Sequence, residues 1–76
     1  MEHEFRIGAL VYKEKINRYD IRFDIDEYYG DLRCGDCMEV YIKKEWIPTH
    51  IEFGDSWYLS GINTSDINGL LVRIKI

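Results

Sequence analysis

The sequence lacks any long apolar run. No stretch approaches the roughly 20 residues that a membrane-spanning helix needs. The first residues, MEHEFRIG, contain no basic region followed by an apolar core, so no signal peptide is recognisable. We therefore expect a cytoplasmic protein with no membrane partner.

The sequence also lacks an excess of positive charge. Its 10 Lys and Arg residues against 14 Asp and Glu residues leave a formal net charge of -4. Direct binding to nucleic acid needs positive charge and is therefore disfavoured. The balance fits a protein partner, particularly one with a basic surface, and it leaves the oligomeric state open.

Cysteine is scarce: Cys34 and Cys37 form one C-x-x-C pair, and no second pair follows. A structural zinc site needs about four ligands, and only His3 and His50 could complete it. A redox pair needs a helix N-terminus to activate the first thiol, and none is predicted here. We expect a tight turn around Gly35-Asp36, reduced and partly buried thiols, and no metal or cofactor. A small zinc or redox protein remains an alternative.

Catalytic constellations are also missing. The sequence offers no Ser/His/Asp set, no Gly-rich phosphate loop and no paired carboxylates in an apolar pocket. His50 opposite Glu39 could exchange a proton, but such cross-strand pairs are usually structural. The sequence therefore predicts a protein that is not an enzyme.

What the chain does contain is apolar alternation with period two, the pattern of half-buried strands. Tyr19, Ile21, Phe23 and Ile25 alternate with charged residues, and Gly8 lies where the first strand changes phase, which predicts a bulge or bend. With 76 residues, the chain predicts one all-β domain over residues 1–76. We expect five or six antiparallel strands, as an SH3-like barrel or a strongly twisted meander. The predicted core comprises Ile21, Phe23, Val40, Ile42, Ile47, Ile51, Val72 and Ile74.

The clearest hairpin is predicted between Met38 and Phe53. With a turn at Lys44-Glu45, Ile42 faces Ile47, and the inner pairs Val40–Thr49 and Met38–Ile51 follow. The outer face of this hairpin then carries Tyr41, Trp46, Pro48 and His50.

Four segments are recognisable together: YYGDLRCGDCMEV, KEWIPTHIEF, WYL and the terminal GLLVRI. With its L-x-C-G-D followed by W-I-P-T, the chain resembles a family of small uncharacterised proteins from Gram-positive bacteria, often carried by conjugative elements and phages. The resemblance extends from about Phe5 to the C-terminus. It implies a mobile-element or phage context and carries no established activity.

These observations predict a non-enzymatic protein-binding module. Its contact surface would comprise the outer hairpin residues Tyr41, Trp46, Pro48 and His50 with the acidic residues Asp26 and Glu27. The aromatic rings could instead form a second small core. The acidic segment, which includes Asp24, Asp31 and Asp36, could be merely solvated. Alternatively it could imitate a phosphate backbone, which would make the protein an acidic inhibitor of a host defence or nucleic-acid-binding protein.

Overall fold

Seven antiparallel strands form one sheet in the computed structural model, which describes residues 4–76. The strands are β1 (Phe5–Lys13), β2 (Arg18–Asp24), β3 (Glu27–Tyr28), β4 (Cys37–Ile42), β5 (Glu45–Phe53), β6 (Trp57–Leu59) and β7 (Leu71–Lys75). A single 3₁₀ turn, Glu14–Ile16, connects β1 to β2. The all-β prediction is confirmed, and the additional strand is the two-residue β3, too short to show any alternation. Within residues 4–76, no helix has the length and apolar character needed to cross a membrane.

The strand order is β3-β2-β1-β7-β4-β5-β6. Strands β1 to β3 form one run of neighbouring strands, and β4 to β6 form another. The last strand, β7, lies between them, so that Val72 is paired with Gly8 on one side and with Val40 on the other. The C-terminal strand therefore joins two halves that are each local in sequence.

The core confirms the predicted inner faces. Ile21, Val40, Ile51 and Val72 are buried, while Phe23, Ile42, Ile47 and Ile74 are partly buried and pack against them. Two further core residues, Leu32 and Ile67, come from connecting segments. Periodicity did not indicate them because it operates only along regular strands.

The predicted bulge at Gly8 is wrong for the pairing with β7, since that ladder runs from Phe5 to Ala9 without a change of register, and the ladder with β2 begins only at Ala9. Gly8 serves close packing instead. A Cβ at this position would lie 2.5 Å from the carbonyl oxygen of Arg22 and 2.7 Å from Cγ2 of Ile21. Any larger residue would push β1 away from β2.

The predicted hairpin exists, but its turn and its pairs differ from the prediction. The turn is Lys43-Lys44, with φ angles of 49° and 67°. A two-residue turn with both φ values positive suits the twist of a hairpin, but Asn-Gly normally signals it, and lysines do not. Val40 therefore faces Ile47, and Met38 faces Thr49. The displacement is by two residues, which leaves every side chain on its predicted face.

Candidate functional site

The outer side of β4 and β5 carries the four predicted contact residues, and we call Tyr41, Trp46, Pro48 and His50 the hairpin face. Tyr41 and Trp46 are directly paired across the strands, and their ring centroids lie 4.9 Å apart. Tyr41 is 39% exposed. Pro48 is exposed and His50 half-buried. Within residues 4–76, no loop covers Tyr41 and Pro48 as a second core would require.

Arg73, from β7, extends this aromatic pair. Its guanidinium carbon lies 4.4 Å from the ring centroid of Trp46 and 3.8 Å from that of Phe5. Its Nε and a terminal nitrogen each lie 2.7 Å from Oε1 of Glu39. The cation is thus held between two rings and its counter-ion, an arrangement that stabilises both the ring positions and the sheet.

Sequence reasoning missed Phe5, Glu39 and Arg73 as members of this cluster. Alternation did place Glu39 and Arg73 opposite the core residues of their strands, but it assigned no outer face to Phe5. The missing information was the strand order, because only the insertion of β7 between β1 and β4 brings Arg73 next to Phe5 and Glu39.

An open groove of about 460 Å³ adjoins the hairpin face. The β4–β7 pairing comprises only Glu39–Arg73 and Val40–Val72. Beyond Arg73 the groove lies between the two strands, and it is lined by Phe5, Cys37, Met38, Glu39, Pro48, Thr49, His50, Arg73, Ile74 and Lys75. Pro48 and His50 therefore belong to a concave edge, whereas Tyr41 and Trp46 form the ring pair beside it.

His50 does not face Glu39 as predicted. Its cross-strand partner is Cys37, and its Nε2 lies 3.0 Å from Oε2 of Glu52 on the same strand. Glu39 is held by Arg73 instead. The difference follows from the two-residue displacement of the hairpin register.

The prediction that the two thiols are partly buried is wrong: Cys34 and Cys37 are free and exposed. They flank a turn in which the Asp36 amide donates to the Arg33 carbonyl at 3.0 Å and Gly35 has a φ of 92°. Within residues 4–76, no group of three or more His, Cys, Asp or Glu side chains is arranged to hold a metal ion. His3 lies outside the described residues.

Asp26 and Glu27, the predicted acidic contact residues, do not join the hairpin face. Strands β2, β1 and β7 separate β3, which begins at Glu27, from β4. Most carboxylates of the acidic segment already have a partner within the protein. Glu27 pairs with Arg6, Asp31 accepts from Lys13 at 2.8 Å, and Asp36 accepts from the Arg33 amide at 2.8 Å. Asp26 is exposed.

One carboxylate of structural importance was not predicted. Asp20 is fully buried, and its Oδ1 accepts from the amides of Ile21 at 2.8 Å and Gly30 at 3.0 Å. Burial alone would raise the pKa of Asp20, but Lys13, 2.9 Å from Oδ2, and the two amides hold this pKa below its ordinary value. The hydrogen bonds of Lys13 to Asp31 and to Asp20 raise the pKa of Lys13. This charge cluster attaches the segment after β3 to β2.

Comparison with curated proteins gives no match. Among solved structures, the chain is similar to the crystal structure of a protein from Ruminococcus gnavus, with 51% identity and a TM-score of 0.86. That similarity covers 91% of this chain and 100% of the other. Residues 8–74 match the model of a family described as a domain of unknown function, DUF5348. Since the match extends over most of the sequence, the chain belongs to the DUF5348 family.

Proposed function

We propose that this protein is a small, non-enzymatic protein-binding module that contacts its partner through the hairpin face. The supporting observation is the ring pair Tyr41–Trp46, in which Trp46 is held in place by Arg73 while Tyr41 is exposed. Tyr, Trp and Arg are the residues that most often dominate binding energy at protein interfaces. A ring that is already ordered before binding loses little entropy on contact.

The cellular context belongs to the same proposal. We place the module in the cytoplasm of a bacterium that carries a mobile element or phage, on the strength of the resemblance described above. An SH3-like closure of the sheet is also part of the proposal. Its support is the hydrogen bond from Trp57 Nε1 to the Asn17 carbonyl, 3.0 Å long, which links β6 to the β1–β2 connection.

The acidic residues Asp26 and Glu27 have a secondary role in this proposal. Because they lie away from the hairpin face, they would attract a basic partner over a distance rather than contact it. The acidic-inhibitor alternative has less support, since Glu27, Asp31 and Asp36 are engaged within the protein. The zinc or redox alternative gains no ligand set from residues 4–76.

Quantitative affinity capture tests the proposal. Wild-type protein, Tyr41→Ala and the matched control Tyr29→Ala serve as baits in host lysate. The two tyrosines are 39% and 43% exposed, and Tyr29 follows β3, away from the hairpin face. We expect one protein to be captured equally by wild type and Tyr29→Ala. Tyr41→Ala should capture at least about tenfold less of it, because a tenfold loss of affinity corresponds to a hot spot worth about 1.4 kcal/mol.

The captured protein is then purified and titrated against the same three variants. A partner that binds Tyr41→Ala as tightly as wild type would contradict the hairpin face as the contact surface. If no captured protein distinguishes Tyr41→Ala from Tyr29→Ala, the proposal fails at its first step.

A further inference from the structure

A second concave site lies where the β1–β2 hairpin meets β5 and β6. It has a volume of about 310 Å³ and is bordered by four aromatic rings, one from each of these strands. We call it the ring pocket and define it by Tyr12, Tyr19, Phe53 and Trp57.

The ring pocket follows from strand register. Leu10 is paired with Ile21 and Tyr12 with Tyr19, while Ile51 is paired with Leu59 and Phe53 with Trp57. In each case the aromatic pair lies two residues beyond a buried aliphatic pair, on the same side of its strands. The four rings therefore form a layer above one end of the core.

The four rings do not pack into a closed layer, and two of them remain exposed to solvent. Tyr12 is 42% exposed and Phe53 48% exposed, whereas Tyr19 is buried. The rings pair across each hairpin, with centroids 5.2 Å apart for Tyr12–Tyr19 and 5.0 Å apart for Phe53–Trp57. The pocket is the space that remains among them.

Asn17 holds two of these rings in fixed orientations. The Tyr12 hydroxyl donates to Asn17 Oδ1 at 2.6 Å, and Trp57 Nε1 donates to the Asn17 carbonyl at 3.0 Å. Asn17 itself adopts a left-handed conformation, with a φ of 51°. The pocket is thus organised by hydrogen bonds that leave the faces of the rings free.

The electrostatic character of the ring pocket is negative. No Lys, Arg or His is among the residues that line it within the described part of the chain, whereas Asp55 is. Burial raises the pKa of Tyr19, and the negative charge of Asp66 raises this pKa further, which places a second carboxylate within electrostatic range.

The absence of a cation distinguishes these rings from others in the molecule. Elsewhere in residues 4–76, Arg6 lies over Phe23, Lys13 over Tyr28, and Arg73 over Phe5 and Trp46. No such contact involves any of the four pocket rings in the described residues. The negative ring faces that Tyr12, Phe53 and Trp57 leave exposed are therefore available to a cation from outside, with the buried Tyr19 beneath them.

We propose that the ring pocket binds an organic cation with an alkylated ammonium head group. Several ring faces with nearby carboxylates attract positive charge, and the apolar ring surfaces favour methyl groups over a strongly hydrated NH₃⁺. The same chemistry repels anions. The head group could belong to a small quaternary amine or to a methylated lysine of another protein. This site is separate from the hairpin face and does not depend on the proposed protein contact.

The first experiment compares choline with its uncharged isostere 3,3-dimethylbutan-1-ol, which has the same shape. It uses a Trp46→Phe background, in which Trp57 is the only tryptophan and reports on the pocket by fluorescence and by its indole N–H NMR signal. We expect saturable choline binding in the millimolar range or tighter, with the isostere at least about fivefold weaker. Equal binding of the two compounds, or no saturable change with choline, would overturn the proposal.

The second experiment uses variants. Asp55→Asn should weaken choline binding about threefold and leave binding of the isostere unchanged, because only the cation loses an electrostatic partner. Phe53→Leu should weaken choline binding more strongly, since it removes a ring face but retains apolar bulk. Tyr29→Ala is the matched control and should change nothing. Unchanged choline affinity in folded Asp55→Asn and Phe53→Leu would refute the site.

The third experiment identifies the source of the cation. Titration with N-acetyl-trimethyllysine amide is compared with choline and with the unmethylated N-acetyl-lysine amide. Tighter binding of the methylated lysine than of choline assigns the pocket to modified proteins, and the reverse order assigns it to small amines. Preference for the unmethylated lysine over both would contradict the role given to the methyl groups.

Discussion

The hairpin face and the ring pocket are built from similar aromatic residues, but they differ in their charges. Around the hairpin face, Arg73 lies over Phe5 and Trp46 and is neutralised by Glu39. The ring pocket has Asp55 at its border and no lining cation within the described residues. An aromatic cluster that contains its own cation and counter-ion is electrostatically complete and offers apolar contact area. A cluster that contains only rings and carboxylates is complementary to an external cation.

The difference arises from where each cluster lies in the sheet. The hairpin face lies beside β7, the strand inserted between the two halves, and β7 supplies Arg73. The ring pocket lies at the ends of strands β1, β2, β5 and β6, to which β7 contributes no lining residue. A substitution outside the shared core should therefore affect one region and leave the other intact.

Val40→Asp should abolish both regions together. Val40 is fully buried and is paired with Ile47 and Val72, so the substitution places an unpaired carboxylate in the core. Such burial costs several kcal/mol, which a domain of this size cannot withstand. We expect loss of NMR dispersion and of the β signal in circular dichroism. The control Tyr41→Asp, one residue away on the outer face, should remain folded; a native spectrum for Val40→Asp would mean that the sheet faces are reversed.

Asp20→Asn should destabilise the half of the sheet that carries Tyr12 and Tyr19. The folded-state pKa of Asp20 lies below its ordinary value of 3.8. Its stabilisation is therefore fully present above about pH 4 and is lost as the pH falls through the lower folded-state pKa. Replacing this buried, ion-paired group should cost about 1–3 kcal/mol at neutral pH. Urea unfolding of wild type and Asp20→Asn at several pH values measures the loss in the free energy of unfolding.

The pH dependence of the free energy of unfolding shows whether Asp20 is the group responsible. Asp20→Asn should unfold with a weaker dependence on pH in the acid range than wild type. Parallel pH profiles of the two proteins would show that other carboxylates control acid stability. Asp26→Asn, at an exposed position, is the control and should follow wild type.

Arg73→Met should weaken the hairpin face and leave the ring pocket intact. The substitution retains an apolar stem but removes the cation between Phe5 and Trp46 and leaves Glu39 without its partner. We expect a loss of about 1–2 kcal/mol in the free energy of unfolding, measured in urea. Lys75→Met, on the same strand and exposed, should stay within about 0.5 kcal/mol of wild type. If Arg73→Met also abolishes choline binding while folded, the two regions are coupled.

A double Cys34→Ser, Cys37→Ser variant should have the smallest effect on both regions. Both thiols are exposed, so their replacement removes little buried surface. We expect a change of no more than about 0.5 kcal/mol in stability. Metal analysis and chelator treatment of the native protein accompany this measurement. Tightly bound zinc in the native protein, with unfolding by chelator, would reverse the interpretation of the C-x-x-C pair.

Strand alternation was sufficient to predict the two sides of the hairpin. Tyr41, Trp46, Pro48 and His50 lie on one side because side chains alternate along any strand, whatever the strand pairs with. The cross-strand partners were not predictable in the same way. They depend on the Lys43-Lys44 turn, whose positive φ angles no residue type there signals.

Local periodicity was enough to predict the all-β class, the inner faces of the strands and the outer position of the hairpin residues. Which strands are neighbours depends on the folded chain as a whole, and the tertiary structure was needed to show it. It inserted β7 between the halves, placed Arg73 over Phe5 and Trp46, and separated Glu27 from the hairpin face. It also assembled the ring pocket from four strands. The physical reason is that long-range pairing minimises exposed apolar surface over the whole chain at once, and no local pattern encodes that global solution.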